Sequence, residues 1–142
     1  MSSPPATRPP IVVADSAEGV ELLRTTLAGA PFELVGAHTL PEARTAVGPR
    51  TPLVICGCHF DDGRMYELLR HLKSQAALES IPFLSVRAVA GELEDAMYDS
   101  VKIATHVLGG SGFIDLFRWR RLYGEAEAAR QFAERVAALA RG

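Results

Sequence analysis

Short apolar runs alternate with longer amphipathic segments along this chain. The central runs are almost entirely apolar, as strands buried on both faces of a parallel sheet are. The segments between the runs carry apolar residues at helical spacing. Strand and helix alternate with short connections, which predicts a doubly wound parallel sheet with helices on both faces. The predicted strands are Ile11–Val13, Phe32–Ala37, Leu53–Cys56, Phe83–Val86 and Thr105–Leu108.

Capping signals mark where the first two helices begin. Asp15 and Glu18 have the spacing of a capping box, which predicts that Asp15 caps the first helix. Thr39 and Glu42 have the same spacing in front of the second helix. Pro41 falls in the first turn of that helix, where its missing N–H does no harm.

The second half of the chain carries further helical patterns. A third helix is predicted after the polar turn Asp61–Gly63, and a fourth over Gly91–Val101. Beyond the glycine-rich stretch Gly109–Gly112, the segment Phe113–Gly124 is expected to be an extra helical piece or an extension of the last helix. The last helix, Glu125–Ala140, has one apolar face, which suits docking against the sheet.

Length and composition favour one globular domain. The chain has 142 residues, of which 48% are hydrophobic, so residues 11–142 are expected to form a single core. Residues 1–10 are rich in Ser and Pro and lack an apolar segment, which predicts a disordered leader rather than a signal peptide. Because no apolar run is long enough to span a membrane, we expect a cytoplasmic protein. The net charge of −2 gives no reason to expect nucleic acid or a membrane as a partner.

Three segments carry a family resemblance: Thr51–Cys56, Glu67–Arg70 and Ile81–Leu84. In sequence and spacing they resemble the middle of a bacterial response-regulator receiver (CheY-like) domain, a module of two-component signalling and phosphorelays. The resemblance implies a flavodoxin-like (βα)5 fold with strand order 2-1-3-4-5, followed here by an extended C-terminal helical region. Receivers accept a phosphoryl group on an aspartate at the end of the third strand. This chain has Gly57 at that position.

The other residues of the receiver phosphorylation pocket are also mostly replaced. The resemblance places Ala14 and Asp15 at the acidic pair, Arg87 at the hydroxyl position and Gly110 at the lysine position. A shift of one residue would move the lysine position to Ser111. Phosphoryl transfer needs a carboxylate nucleophile, a bound Mg²⁺ and a cation near the transferred oxygens, so we expect a degenerate pseudo-receiver with no metal and no cofactor.

The charge of Arg87 should oppose Mg²⁺ binding at this edge of the sheet. Arg87 is expected either to pair with an acid (Asp15, Asp61 or Asp62) or to be exposed without a contact. Asp61 and Asp62 are also the only nearby acids that could act as a residual phosphoacceptor. Otherwise these two residues are expected to begin the third helix, where the helix dipole favours acids.

An alternative function uses the degenerate pocket itself. Gly57 would form the floor of a crevice bordered by Cys58, His59, Arg87 and Gly110, which could bind a small anion or respond to oxidation. Cys56 and Cys58 are the only cysteines, and their spacing places both on one face of a continuing strand. Burial as free thiols is the expected state of both.

The segment Phe117–Tyr123 interleaves aromatic side chains with arginines, as interface hot spots do. The resemblance places it within the usual recognition face of receivers, here from about Gly91 to Tyr123. The leading hypothesis is therefore a non-enzymatic signalling adaptor that binds a histidine kinase, another regulator or a second copy of itself. Its candidate contact residues are Phe117, Trp119, Arg120, Arg121 and Tyr123. Alternatively, Phe113, Phe117 and Trp119 simply cover the edge of the sheet while the arginines are solvated.

Overall fold

A computed structural model of the chain describes residues 9–90 and 97–141. Strands and helices alternate, and two helices follow the last strand. The elements are β1 (Ile11–Ala14), α1 (Ala17–Thr26), β2 (Leu34–Ala37), α2 (Leu40–Ala46), β3 (Val54–Gly57), α3 (Met65–Lys73), β4 (Phe83–Arg87), α4 (Tyr98–Val107), β5 (Gly112–Asp115), α5 (Leu116–Tyr123) and α6 (Glu125–Ala140). In the described ranges no helix is both long and apolar enough to cross a membrane.

The five strands form one parallel sheet in the order β2-β1-β3-β4-β5. This order confirms the flavodoxin-like, doubly wound fold. Every residue of β1, β3 and β4 is buried, because these central strands have helices over both faces. All four pairings are parallel, so the carboxyl ends of the strands meet at one edge of the sheet.

Successive side chains of a strand point to opposite faces, and the two hydrophobic cores follow that alternation. Val12 packs in the core under α2, α3 and α4, whereas Ile11 and Val13 pack in the core under α1, α5 and α6. In α6 the buried residues include Phe132 and Val136, both on the apolar face predicted from the sequence. Each core therefore draws on helices from both halves of the chain.

The predicted fifth strand was wrong. Thr105–Val107 is the end of α4, and the strand is the later segment Gly112–Asp115, where a helical piece was expected. Thr105 is buried one helical turn after Val101, and its hydroxyl bonds the buried Ser85 hydroxyl at 2.8 Å. Residues at helical spacing pack against the sheet and make this segment a helix, although its β-branched residues favour a strand. Residues 91–96, the start of the predicted fourth helix, lie outside the described residues, as do residues 1–8 of the predicted leader.

The additional helical piece is present, but it is shorter than predicted. It is α5, which directly follows β5 and ends at Gly124. Gly124 has a φ of 83°, a left-handed conformation that suits glycine and breaks the chain into two helices. Leu116 in α5 is fully buried, and Trp119 is half-buried against the same core as α6. As a result, α5 lies beside the carboxyl edge of the sheet.

Candidate functional site

The carboxyl edge of the sheet brings together three of the residues singled out in the sequence. Asp15 follows β1, while Gly57 ends β3 and Arg87 ends β4. The pairing of β4 with β5 places Asp115 directly opposite Arg87. Asp115 was not predicted, because the fifth strand was placed too early. It has the same sequence signal as the others, a polar residue that closes a short apolar run.

The carboxyl group of Asp15 occupies the space above Gly57. A Cβ atom at position 57 would lie 2.2 Å from Asp15 Oδ1 and 2.3 Å from Asp15 Cγ. A Cβ atom at Gly19, in α1, would lie 2.2 Å from Asp15 Oδ2. These distances are far inside van der Waals contact, so the carboxyl group fits only because both positions are glycine.

Asp15 does not cap α1 as predicted. Ser16 is the N-cap, and its hydroxyl accepts a hydrogen bond from the Gly19 N–H at 3.1 Å. The Asp15 backbone N–H donates to the carbonyl of Ala37 in β2, so it is not available to the side chain of Glu18. Helix α2 does start as predicted: the Thr39 hydroxyl accepts from the backbone N–H three residues later.

Burial alters the acidity of Asp15. Its side chain is 5% exposed, and loss of hydration raises the pKa of the carboxyl group from 3.8 to about 6. The hydrogen bond from the Ser16 N–H, 2.8 Å long, and the charge of His38 act in the opposite direction. The negative charge of Glu18 adds to the rise. Asp15 therefore has a pKa of about 6 and loses its proton at a higher pH than an exposed aspartate does.

Arg87 forms an internal ion pair, but not with an acid predicted from the sequence. Its Nη1 lies 3.2 Å from Asp115 Oδ2, and the two side chains are 5% and 13% exposed. Asp15, Asp61 and Asp62 were the expected partners. They lie on the loops after β1 and β3, whereas the strand register brings Asp115 alongside Arg87.

Two aromatic rings enclose the Arg87 guanidinium. Its central carbon lies 4.3 Å from the centroid of the Tyr98 ring and 4.7 Å from that of the Phe117 ring. A guanidinium at these distances is attracted by the electron-rich faces of both rings. The Tyr98 hydroxyl bonds His59 Nε2 at 2.9 Å, and the Tyr98 ring stacks on Phe113. Tyr98 was not singled out in the sequence, and Phe113 was expected only to cover the edge of the sheet.

Asp61 and Asp62 do not begin α3. Both have a left-handed backbone conformation, with φ of 43° and 55°, in the turn that precedes that helix. Asp61 Oδ2 accepts the backbone N–H of Leu40 at 2.8 Å, so Asp61 stabilises the start of α2 instead. Arg64 Nη1 lies 3.7 Å from the same oxygen.

Gly110 lies at the opposite end of the sheet from Arg87. Its N–H bonds the carbonyl of Thr105, and the N–H of Ser111 bonds the carbonyl of Phe83, the first residue of β4. The predictions that Gly110 or Ser111 marks the lysine position, and that the glycine-rich loop borders the crevice, are therefore wrong. The error follows from the misplaced fifth strand.

The two cysteines are free thiols in apolar surroundings. Burial raises the pKa of Cys58 to about 12, and nearby acids add to the rise. Burial also raises the pKa of the fully buried Cys56. The Cys58 thiol lies 3.3 Å from the carbonyl of Val86, to which it donates. Thiols held in the protonated form react slowly with oxidants. In the two described ranges, no cluster of acids, histidines and cysteines could hold a metal ion.

The predicted contact segment divides into buried and exposed parts. Phe117 covers Arg87, Trp119 packs against the core, and Arg120 pairs with Glu125 at 2.6 Å. Arg121 and Tyr123 are exposed. The large apolar side chains that are most exposed in the described ranges all lie in or next to α4 and α5: Met97, Ile103, Val107, Leu122 and Tyr123. Ile103 and Val107 were not predicted to be exposed, because the fourth helix was expected to end at Val101.

Comparison with solved structures identifies the fold. No protein-family model and no curated protein matches the sequence. A response regulator of Chloroflexus aurantiacus superposes with a TM-score of 0.65 at 18% identity, over 92% of this chain and 99% of that chain. The chemotaxis response regulator CheY4 of Vibrio cholerae superposes with a TM-score of 0.63 at 18% identity, over 89% of this chain and 95% of that chain. The phosphorylated cyanobacterial phytochrome response regulator RcpA superposes with a TM-score of 0.65 at 17% identity, over 92% of this chain and 91% of that chain. The chain therefore has the fold of response-regulator receiver domains.

Proposed function

We propose that this chain is a non-enzymatic pseudo-receiver, a signalling adaptor that binds a protein partner without control by phosphorylation. The observation that carries the proposal is the position of the Asp15 carboxyl group above Gly57. In receivers that space belongs to the side chain that accepts the phosphoryl group. Here Gly57 supplies no nucleophile, and the Asp15 carboxyl group fills the space above this glycine. Neither a phosphodonor nor Mg²⁺ therefore has a place to bind.

The charges at this edge of the sheet support the same conclusion. The positive charge of Arg87 is balanced by Asp115 within the protein, and aromatic rings cover it. A lysine that neutralises a transferred phosphoryl group must instead be free to approach its oxygens. Asp61, an alternative acceptor expected from the sequence, is engaged at the start of α2. Residual phosphotransfer would therefore require several contacts to be broken at once.

The exposed apolar side chains of α4 and α5 are the proposed binding surface. Ile103 is 64% exposed and Val107 75% exposed, and their spacing places them on one face of α4. Leu122 and Tyr123 add exposed apolar area at the end of α5, beside the charged Arg121. Aromatic side chains and arginines are enriched at protein interfaces. The proposed partner is a histidine kinase, another regulator or a second copy of the chain.

The anion or redox sensor is the weaker candidate. The raised pKa of Cys58 disfavours the reactive thiolate, and the glycine-rich loop lies at the far end of the sheet. The cation of the pocket, Arg87, is engaged with Asp115. An anion would therefore have to displace a buried carboxylate to reach it.

The first experiment is mass spectrometry after incubation with acetyl phosphate and Mg²⁺. An ordinary receiver serves as the positive control. We expect no adduct on this chain under conditions that label the control, an adduct being a gain of about 80 Da for one phosphoryl group. A stoichiometric adduct would overturn the proposal. Substitution of Asp15, Asp61 and Asp62 by asparagine, one at a time, would then locate the acceptor.

The second experiment tests the binding surface. The variant Ile103→Ser/Val107→Ser removes apolar area from α4, and Arg50→Ser is the control at an exposed position elsewhere. Sedimentation measures self-association, and affinity capture with quantitative mass spectrometry measures other partners. We expect the α4 variant to lose a dimer or a captured protein that the control variant retains. Equal behaviour of both variants would contradict the assignment of this surface.

A further inference from the structure

The Arg87 side chain connects α4 and α5 to the end of β4, where β4 also pairs with β5. It reaches Asp115 at the end of β5, Tyr98 at the start of α4 and Phe117 in the first turn of α5. We infer that Arg87 is an internal clamp that holds α4, β5 and α5 in one fixed arrangement. The inference rests on the proposed function, because it states how the proposed binding surface is regulated: that surface is set permanently rather than switched.

Asp115 gives the clamp its hold on α5. One carboxylate oxygen, Oδ2, accepts from Arg87, and the other, Oδ1, accepts the backbone N–H of Arg118 at 3.0 Å. The second bond makes Asp115 the N-cap of α5. The same side chain therefore starts the helix and fixes it to the end of β4. A shift of α5 would break either the cap or the ion pair.

Tyr98 gives the clamp its hold on α4. Its ring lies over the guanidinium on one side and stacks on Phe113 of β5, with ring centroids 6.1 Å apart. Its hydroxyl bonds His59, in the loop after β3. The first turn of α4 is thus tied to β3, β4 and β5 through one side chain. Rotation of α4 would remove Tyr98 from all three contacts together.

The burial of Arg87 makes any alternative arrangement unfavourable. A guanidinium that is 5% exposed has lost most of its hydration, and the Asp115 carboxylate and the rings of Tyr98 and Phe117 help to compensate for that loss. If α4 or α5 moved away, the buried charge would lose these neighbours. The attraction of Arg87 to these neighbours and the cost of burying its charge without them therefore both favour the same arrangement of α4 and α5.

Hydrogen exchange measured by mass spectrometry tests the clamp on the isolated chain. The variant Arg87→Met keeps an apolar stem but removes the charge. The matched control is Arg120→Met, which makes the same change on α5 at a residue that pairs with Glu125 instead. In Arg87→Met we expect the amides of α4 and α5 to exchange about tenfold faster, or more, while β1, β3 and α6 change by less than about threefold. The control should leave α4 unchanged.

Two results would overturn the clamp. One is unchanged exchange in α4 and α5, and the other is an equal increase in every element, which would mean that Arg87 supports only global stability. If Arg87→Met does not fold, Asp115→Asn is measured against the same criteria, since asparagine keeps the helix cap and loses the charge. The exchange experiment contains neither a partner nor a phosphodonor, so a negative result would leave the proposed function standing. An acetyl phosphate adduct would overturn the proposed function, and the exchange data would still decide whether Arg87 holds α4 and α5 in place.

Discussion

The variant Gly57→Ala isolates the space that Asp15 occupies. Gly57 does not have a left-handed backbone, so alanine suits the strand, and such a change at an open position stabilises a protein by about 0.4–1 kcal/mol. Here, however, the new Cβ would lie 2.2–2.4 Å from all three atoms of the Asp15 carboxyl group. Overpacking costs about 1–3 kcal/mol, and loss of the Ser16 N–H bond to a carboxylate costs about 1.5–3 kcal/mol. Both costs less the gain give an expected net destabilisation of about 1.5–5.6 kcal/mol.

Urea denaturation followed by far-UV circular dichroism measures this loss. Gly29→Ala and Gly48→Ala are matched controls, because a Cβ at either position meets nothing within 4 Å and neither residue is left-handed. Both controls should stay within about 1 kcal/mol of the parent. The double variant Asp15→Ala/Gly57→Ala identifies the cause. Without the carboxyl group we expect the added methyl group to cost less than about 1 kcal/mol.

An unfolding free energy of Gly57→Ala equal to that of Gly48→Ala would contradict this prediction. The prediction also fails if the coupling free energy between Asp15→Ala and Gly57→Ala is below about 0.5 kcal/mol, the size of ordinary non-additivity. Either result would mean that the carboxyl group moves aside at no cost. The acceptor position would then be open, and the main support for a phosphorylation-independent function would be lost.

Three further predictions concern neighbouring side chains. Since the pKa of Asp15 is about 6 in the folded protein against 3.8 ordinarily, the folded state keeps a proton that the unfolded chain has released between these pH values. The free energy of unfolding should therefore fall as pH rises from about 4 to above 6, by up to roughly 3 kcal/mol at 1.36 kcal/mol per pKa unit, and urea titrations of Asp15→Asn should lack this component. At pH 8, iodoacetamide should label Cys58 about a hundredfold or more slowly in the native protein than in urea, because its pKa is about 12; labelling at equal rates would contradict the burial. Asp61→Ala should destabilise the protein by about 1–2 kcal/mol through loss of the hydrogen bond from the Leu40 N–H, while Asp61→Asn, whose side-chain oxygen can still accept that bond, should lose less than half of that in the same urea assay.

The central part of the fold could be predicted from the sequence because its signals are local. β1, β3 and β4 are buried on both faces and therefore consist of apolar runs. The fifth strand lacks that signal. Gly112–Asp115 is an edge strand of four residues with only Ile114 buried, and it begins with glycine and ends with aspartate. The earlier segment Thr105–Leu108 has stronger strand propensity, but tertiary packing makes most of it helical.

The site could be predicted only in part. The resemblance to receivers placed Asp15, Gly57 and Arg87 at the ends of their strands, and the structure brings them to the carboxyl edge of the sheet. Their contacts depend on side-chain directions and on strand register, which a sequence does not state. The pairing of Arg87 with Asp115 follows from the register of β4 and β5. The burial of Asp15 against two glycines follows from the packing of α1 on the sheet.

The contact of Asp15 with Gly57 and Gly19 also constrains how this chain could change by mutation. Two of the four glycine codons, GGT and GGC, become aspartate codons by a single base change, so Gly57→Asp is a simple substitution to test. That mutation places a second carboxyl group in space that Asp15 already fills. A stable Gly57→Asp variant therefore needs a compensating change at position 15 before or together with the change at 57. The packing of Asp15 against two glycines thus disfavours an acid at position 57, whereas substitutions at exposed positions cost little stability.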